Sequence, residues 1–334
     1  MTDRKDLAQH FINHAGWGAA ERRMLAGDAS FRKYERLHRG KETAVLMDAP
    51  PPQEDVRPFI RMARWLCESG FSAPRILAED IQHGFLLLED LGDDLYSRLL
   101  RQGGNEQELY EAAIDQQLAL HQHAAPAGIA PYDVPRLVDE AGLFPDWYLP
   151  ALHGAPVSAD LRAEFDTLIG GLAPAAIAAR PVAVLRDYHA DNLLWLPQRQ
   201  GPARVGLLDF QDAVAGHPAY DLVSLLEDAR RDVAPALAEA MLARYIAQSG
   251  VDAAAFRRAY AILGAQRNIR IIGIFTRLWK RDGKKGYQAF MPRMWGLLER
   301  DLQHPELQPL RAFIDRVAPP ALRCQPLPGL EQAV

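Results

Sequence analysis

Residues 184–195, VLRDYHADNLLW, constrain this chain more than any other stretch. Asp187 and Asn192 are separated by four residues in a polar loop that follows the apolar run 182–185. A second apolar run, 205–208, leads directly into Asp209, 17 residues beyond Asn192. Two short strands paired as a hairpin would bring Asp187, Asn192 and Asp209 to the same end. A lone D-x₄-N pattern usually stabilises a turn, because both side chains bond nearby backbone groups. Here His189 lies inside the pattern and a second carboxylate follows an apolar run, neither of which a turn requires.

Phosphoryl transfer needs such a set. Its transition state spreads negative charge over the γ-phosphoryl oxygens, so the site must supply a cation and orient the attacking hydroxyl. Mg²⁺ takes oxygen ligands and only one or two protein groups, with phosphates providing the rest. The amide of Asn192 and the carboxylate of Asp209 suit that role, and Asp187 suits the base that receives the hydroxyl proton. ATP and Mg²⁺ are the cofactors this chemistry implies.

The organisation around the motif is consistent with that use. The first ninety residues carry strand-like runs at 31–38, 42–47 and 85–88, with Arg39-Gly40-Lys41 as a hairpin turn between the first two. A helical pattern covers about 54–68, with Phe59, Met62, Ala63 and Leu66 on one face, and Gly70 ends it. Beyond Gly92 the patterns are helical, at about 106–123, 137–149, 159–171, 219–229, 233–249, 252–280 and 306–317. The short β segment at 182–214 interrupts them. The order is a small sheet domain followed by a larger helical one.

Composition excludes several classes. The 334 residues carry a formal net charge of −5, which disfavours nucleic acid or an anionic membrane as partner. Cys67 and Cys324 stand far apart in no C-x-x-C pairing, so neither a disulfide framework nor a cysteine zinc site is expected. The amino terminus mixes charges and lacks the apolar core of a signal peptide, and no run nears the roughly 20 apolar residues that span a bilayer. A cytoplasmic monomer acting on a small molecule is the expectation.

The motif resembles the catalytic loop of the aminoglycoside phosphotransferase and choline kinase-like family, which reads approximately H-G-D-x-H-x-x-N and is followed by a strand and I-D-[FW]. Asp187, His189 and Asn192 match, as does Leu208-Asp209-Phe210, whereas Leu185 and Arg186 stand where the family has His and Gly. HPAYDLVSLLED (217–228) is similar to the helix after the loop, whose Asp, here Asp221, has a structural role in bonding that loop. The resemblance implies an α+β, two-lobed protein kinase-like fold, with a small β-rich N-lobe at 1–91 and a larger helical C-lobe at 92–334.

It also implies a nucleotide site. GDASFRKY (27–34) falls where the family's loop covers the phosphates, with Gly27, Ala29 and Ser30 small enough for close approach. In most such kinases the third strand carries a phosphate-binding Lys. Here Met47 stands there, so Arg32 or Lys33 is expected to supply the cation. Glu54 and Glu68 are candidates for the Glu with which the family holds that Lys, a need left open where the Lys is missing. FLLLEDLG (85–92) resembles the interlobe hinge, where backbone groups of Glu89 and Leu91 meet the adenine edge.

GDASFRKYERL, VLMDAPP, LLLEDLGDD, LFPDWYL and QRNIRIIGIFTRL together resemble the anomeric N-acetylmuramate/N-acetylglucosamine kinases of bacterial cell-wall (peptidoglycan) recycling. That implies transfer to the C1 hydroxyl of an amino sugar. Phe144 and Trp147 are candidates to stack on the sugar, Glu140 to bond its hydroxyls, and Asn268 is a candidate contact. His189 is a further candidate contact. Arg267 and Arg270, read as part of a basic helix face, are candidates to meet a carboxylate. An aminoglycoside- or choline-type phosphotransferase remains open as an alternative, as does a pseudokinase that only binds, because the third-strand Lys is missing.

Overall fold

Two strands that pair around a two-residue loop begin the sheet. Arg39 pairs with Glu42, and Gly40 takes the first loop position at φ +62°, a conformation that costs glycine nothing. The computed structural model describes residues 3–25, 31–323 and 325–328. They divide into two units, one running to Pro126 and including Leu185–Ala213, the other comprising Ala127–Val184 and the chain from Val214 onward.

The first unit starts with α1 (Arg4–His14), β1 (Glu21–Met24), β2 (Lys33–Arg39) and β3 (Glu42–Asp48). There follow α2 (Arg57–Glu68), β4 (Ile76–Asp80), β5 (Phe85–Glu89), α3 (Tyr96–Arg101) and α4 (Glu106–Leu120). The strands form one antiparallel sheet in the order β1-β2-β3-β5-β4. Alternation along β3 and β5 sends Leu46, Phe85 and Leu87 to one face, where α1 covers them with Ala8, Phe11 and Ile12. Met47, Leu86 and Leu88, on the other face, are buried too, which is why β5 reads as a continuous apolar run.

The chain then enters the second unit through β6 (Ala130–Pro131), α5 (Val134–Ala141), α6 (Leu149–His153), α7 (Ala159–Ala176) and β7 (Val182–Val184). It returns to the first for β8 (Leu193–Trp195) and β9 (Val205–Leu207). It continues in the second with β10 (Val214–Gly216), α8 (Ala219–Leu226), α9 (Pro235–Ser249), α10 (Ala253–Asp282), α11 (Met291–Asp301), α12 (Gln308–Val317) and α13 (Pro320–Arg323).

Strand pairing corrects the expected hairpin. β9 pairs with β8, and β7 pairs with β10, which also runs parallel to β6. The two apolar runs therefore belong to different sheets, and LLW at 193–195 supplies the missing partner. In the second unit α10 packs tightly on the π-helical turn Phe144–Tyr148. A Cβ at Gly273 would lie 2.5 Å from the Leu143 carbonyl oxygen and 2.7 Å from the Phe144 nitrogen. Only glycine lets the two backbones approach so closely. Among the described residues, no helix is long and apolar enough to cross a membrane.

Candidate active site

The loop between β7 and β8 is built from its own backbone. Asp187 N–H donates to Leu185 O (2.9 Å), His189 N–H to Asp187 O (3.1 Å) and Asn192 N–H to His189 O (2.9 Å). Asn192 then returns its side-chain Nδ2 to Asp187 O at 3.0 Å. Arg186, where the resembling family has glycine, sits at φ +71°, a region that costs a non-glycine residue about 1–3 kcal/mol. Buried Tyr188 anchors the loop through its hydroxyl, which donates to Ala113 O and Gln116 Oε1 on α4, each at 2.9 Å.

β8 and β9 place Asp209 beside this loop. Leu193 pairs with Leu207, and Leu208 N–H donates to Asn192 O at 3.0 Å, so Asp209 follows one residue past the point where the strands meet Asn192. Asp209 takes φ +56°, the second non-glycine residue at positive φ among the described residues. Its Oδ1 accepts from Gln211 Nε2 at 2.8 Å and lies 3.3 Å from Arg32 Nη2. Phe210 is fully buried, its ring 4.9 Å from that of Phe59 on α2. Asp187, Asn192 and Asp209 are half-buried and lie along this loop and at the hairpin end.

A divalent cation suits these donors. The Asn192 amide nitrogen is committed to Asp187 O, which leaves the amide oxygen as the group's acceptor. Asp209 already draws the guanidinium of Arg32, a cation standing against the carboxylate. One amide oxygen and one carboxylate match the few protein ligands Mg²⁺ uses beside phosphates.

On the nucleotide side, Gly27, Ala29 and Ser30 lie outside the described residues. Arg32 and Lys33 separate: the Arg32 side chain is 10% exposed and turned to Glu54 and Asp209, whereas Lys33 is exposed. Glu89 N–H donates to Arg75 O at 2.8 Å, so of its backbone groups only the carbonyl can serve an adenine edge. The Glu89 carboxylate is held by Arg75 (3.1 Å) and Arg199 (2.8 Å). Sequence reasoning missed Arg36, whose guanidinium meets Asp90 and Asp93 (both 2.8 Å) and clamps β2 to the segment containing Leu91. It also missed Gln211, which is legible only as a polar residue two positions beyond Asp209.

Several expected sugar contacts are committed to packing. His189 is 4% exposed and shapes the loop through its backbone. Phe144 is fully buried, stacked on Tyr148 and Phe165. Arg267 and Asn268 lie in the interior of the second unit, not on a basic surface. Arg267 donates to Ser224 Oγ (2.9 Å) and Glu227 O, and Asn268 Nδ2 to Glu227 Oε2 (2.7 Å) and Asp301 Oδ2 (2.9 Å). Burial pushes both carboxyls above the usual range, and the charge of Glu227 pushes Asp301 further. Glu140 and Arg270 pair with each other (3.1 Å); Glu140 also meets Arg136 (3.0 Å) and the Tyr132 hydroxyl (2.8 Å). Trp147 is half-buried, and Asp221 is fully buried in α8.

The sequence pattern of the phosphotransferase enzyme family (APH) matches residues 21–260. A protein from Caulobacter vibrioides called N-acetylmuramate/N-acetylglucosamine kinase is 41% identical, covering 95% of this chain and 98% of its own. A protein of that name from Pseudomonas aeruginosa is 39% identical over 88% of this chain and 89% of its own. Among solved structures, a choline/ethanolamine kinase family protein from Mesorhizobium loti superposes with a TM-score of 0.60 at 14% identity, over 94% of this chain and all of the other. Aminoglycoside 2'-phosphotransferase-IIIa in its GDP complex gives 0.62 at 15% identity, over 90% of this chain and 98% of its own. These likenesses show an α+β, protein kinase-like fold, as the family resemblance of the catalytic loop implied.

Proposed function

Because the chain belongs to the phosphotransferase enzyme family, we propose that it transfers the γ-phosphoryl group of ATP to an amino-sugar hydroxyl, the anomeric C1 hydroxyl of N-acetylmuramate or N-acetylglucosamine. Such a reaction belongs to peptidoglycan recycling in the cytoplasm. The observation that carries the reading is the placement of Asp187, Asn192 and Asp209 along one loop and at the hairpin end. The name shared by its relatives points to the sugar.

Asp187 receives a hydrogen bond from the acceptor hydroxyl and takes its proton as the hydroxyl oxygen bonds the γ-phosphorus, whose bond to the β,γ-bridging oxygen breaks to release ADP. The anomeric hydroxyl is more acidic than an ordinary alcohol, so one carboxylate suffices as base. Asn192 Oδ1 and Asp209 would hold Mg²⁺, which neutralises phosphate charge when bound. The loop bonds at Asp187 and Asn192 pre-set these groups, so little reorganisation accompanies the reaction. The Glu89 carbonyl and Leu91 backbone take the adenine edge. The nucleotide lobe is 1–91 and the catalytic lobe 92–334, in a monomer.

Mg·ATP turnover by the full chain against N-acetylglucosamine, N-acetylmuramate, choline and a kanamycin-type polycation tests this reading. Phosphate should appear at C1 of the amino sugars alone. Turnover of choline or the polycation instead would overturn the assigned substrate, and nucleotide binding without any turnover would overturn the enzyme.

A further inference from the structure

The third strand has no cation to offer a nucleotide. Met47 is 1% exposed, paired with Tyr34 on β2 and Leu86 on β5. The nearby positive charge comes from one strand away. Arg32, just before β2, stands 3.3 Å from Asp209 Oδ1 and 3.8 Å from Glu54 Oε2. Glu54 also accepts the Phe31 N–H at 3.1 Å, so one carboxylate holds both the side chain and the backbone of the segment entering β2. Five residues past Glu54, Phe59 packs on Phe210, the neighbour of Asp209. Glu54, Arg32 and Asp209 thus form one charged chain supported by an aromatic contact.

We propose that Arg32 is the phosphate-binding cation of this protein, that Glu54 is the positioning residue that holds it, and that Arg32 rests on Asp209 until nucleotide arrives. Nucleotide entry then exchanges an arginine–carboxylate pair for an arginine–phosphate contact and gives Asp209 back as an oxygen ligand. The proposal rests on the phosphotransferase reading above. A guanidinium fork suits either partner, since carboxylate and phosphate present similar oxygen pairs.

The exchange predicts opposite effects on two ligands. Isothermal titration of the full chain with Mg·ADP should show Arg32→Ala weakened about tenfold or more, the usual scale for a hydrogen bond to a charged group. Glu54→Gln should be weakened less, and Lys33→Ala should match wild type. With no nucleotide present, Mn²⁺ titrated alone and followed by electron paramagnetic resonance should bind Arg32→Ala more tightly than wild type, because Asp209 then lacks the competing guanidinium. A merely structural arginine would weaken both. Equal Mg·ADP affinity in Arg32→Ala, or weaker Mn²⁺ binding, overturns the proposal. If Arg32→Ala does not fold, Arg32→Lys and Glu54→Gln decide by the same titrations, and wild-type affinity in both overturns it. Wild-type protein that binds Mg·ADP yet phosphorylates no amino sugar counts against the acceptor, not against Arg32.

Discussion

The side-chain nitrogen of Asn192 donates to the backbone carbonyl of Asp187 at 3.0 Å, so the residue proposed for the metal is built into the turn that carries the proposed base. Asn192→Ala removes both the amide oxygen and this brace. The Mg²⁺ concentration for half-maximal rate should rise at least tenfold, on the scale of about 10–100-fold seen when metal-site support is lost. A Mg²⁺ titration of the initial rate measures it, and an unchanged half-saturation point would remove Asn192 from the site.

Asp187→Asn keeps the shape and the backbone bonds of the loop while withdrawing the base. kcat should fall roughly 10²–10⁴-fold, with the KM for ATP and the melting temperature close to wild type. Steady-state kinetics on the amino sugar decides this, and a retained kcat would exclude Asp187 as base.

His217 gives the protein an acid-sensitive joint. The side chain is 7% exposed, and burial drives its pKa from the ordinary 6.5 down to about 4. Its neutral Nδ1 accepts the Ala219 N–H at 3.0 Å, at the start of α8. Between those pH values the unfolded chain binds the extra proton, so stability rises with pH there. The contribution is fully present above about pH 6.5 and is lost as pH falls towards 4, amounting to about 3 kcal/mol at most. Urea unfolding at pH 7.0, 6.0 and 5.0 should show this loss, and His217→Gln should flatten the profile between pH 6.5 and 5. An equal slope in the variant would refute the assignment.

Gly273 and Gly296 should respond in opposite directions to alanine. At Gly273 the new methyl meets the backbone of Leu143 and Phe144, which cannot turn aside as a side chain could. Gly273→Ala should destabilise by about 1–3 kcal/mol or more. At Gly296, in α11, a Cβ meets nothing within 4 Å, and alanine should stabilise by about 0.5–1 kcal/mol. Thermal melts of the two variants give the comparison.

Local chemistry explains what was readable beforehand. Asp187 and Asn192 share one short loop, which their spacing of five positions made legible, whereas the partner of the run before Asp209 was not. The strands around Gly40 and the amphipathic stretch at Arg57–Glu68 were legible because each carries its own periodicity. Helix α1, which covers one face of the sheet with Ala8, Phe11 and Ile12, escaped notice because that apolar stripe is short and set among charged and polar residues. Arg267 and Asn268 misled for a different reason. Polar side chains on a helix suggest a wet face, and their burial depends on Glu227 and Asp301, 41 and 33 residues from Asn268.

The sequence by itself determined the chemistry available: which side chains carry oxygen or charge, and the short loop that holds Asp187 near Asn192. Tertiary structure alone decided that Arg32 would face Asp209 across 177 residues, that 193–195 and not 182–184 would pair with β9, and which polar groups would be closed to solvent. The physical reason is range. Backbone hydrogen bonds and residue spacing act within a few positions, whereas ion pairs and burial depend on distant segments whose approach no local pattern encodes.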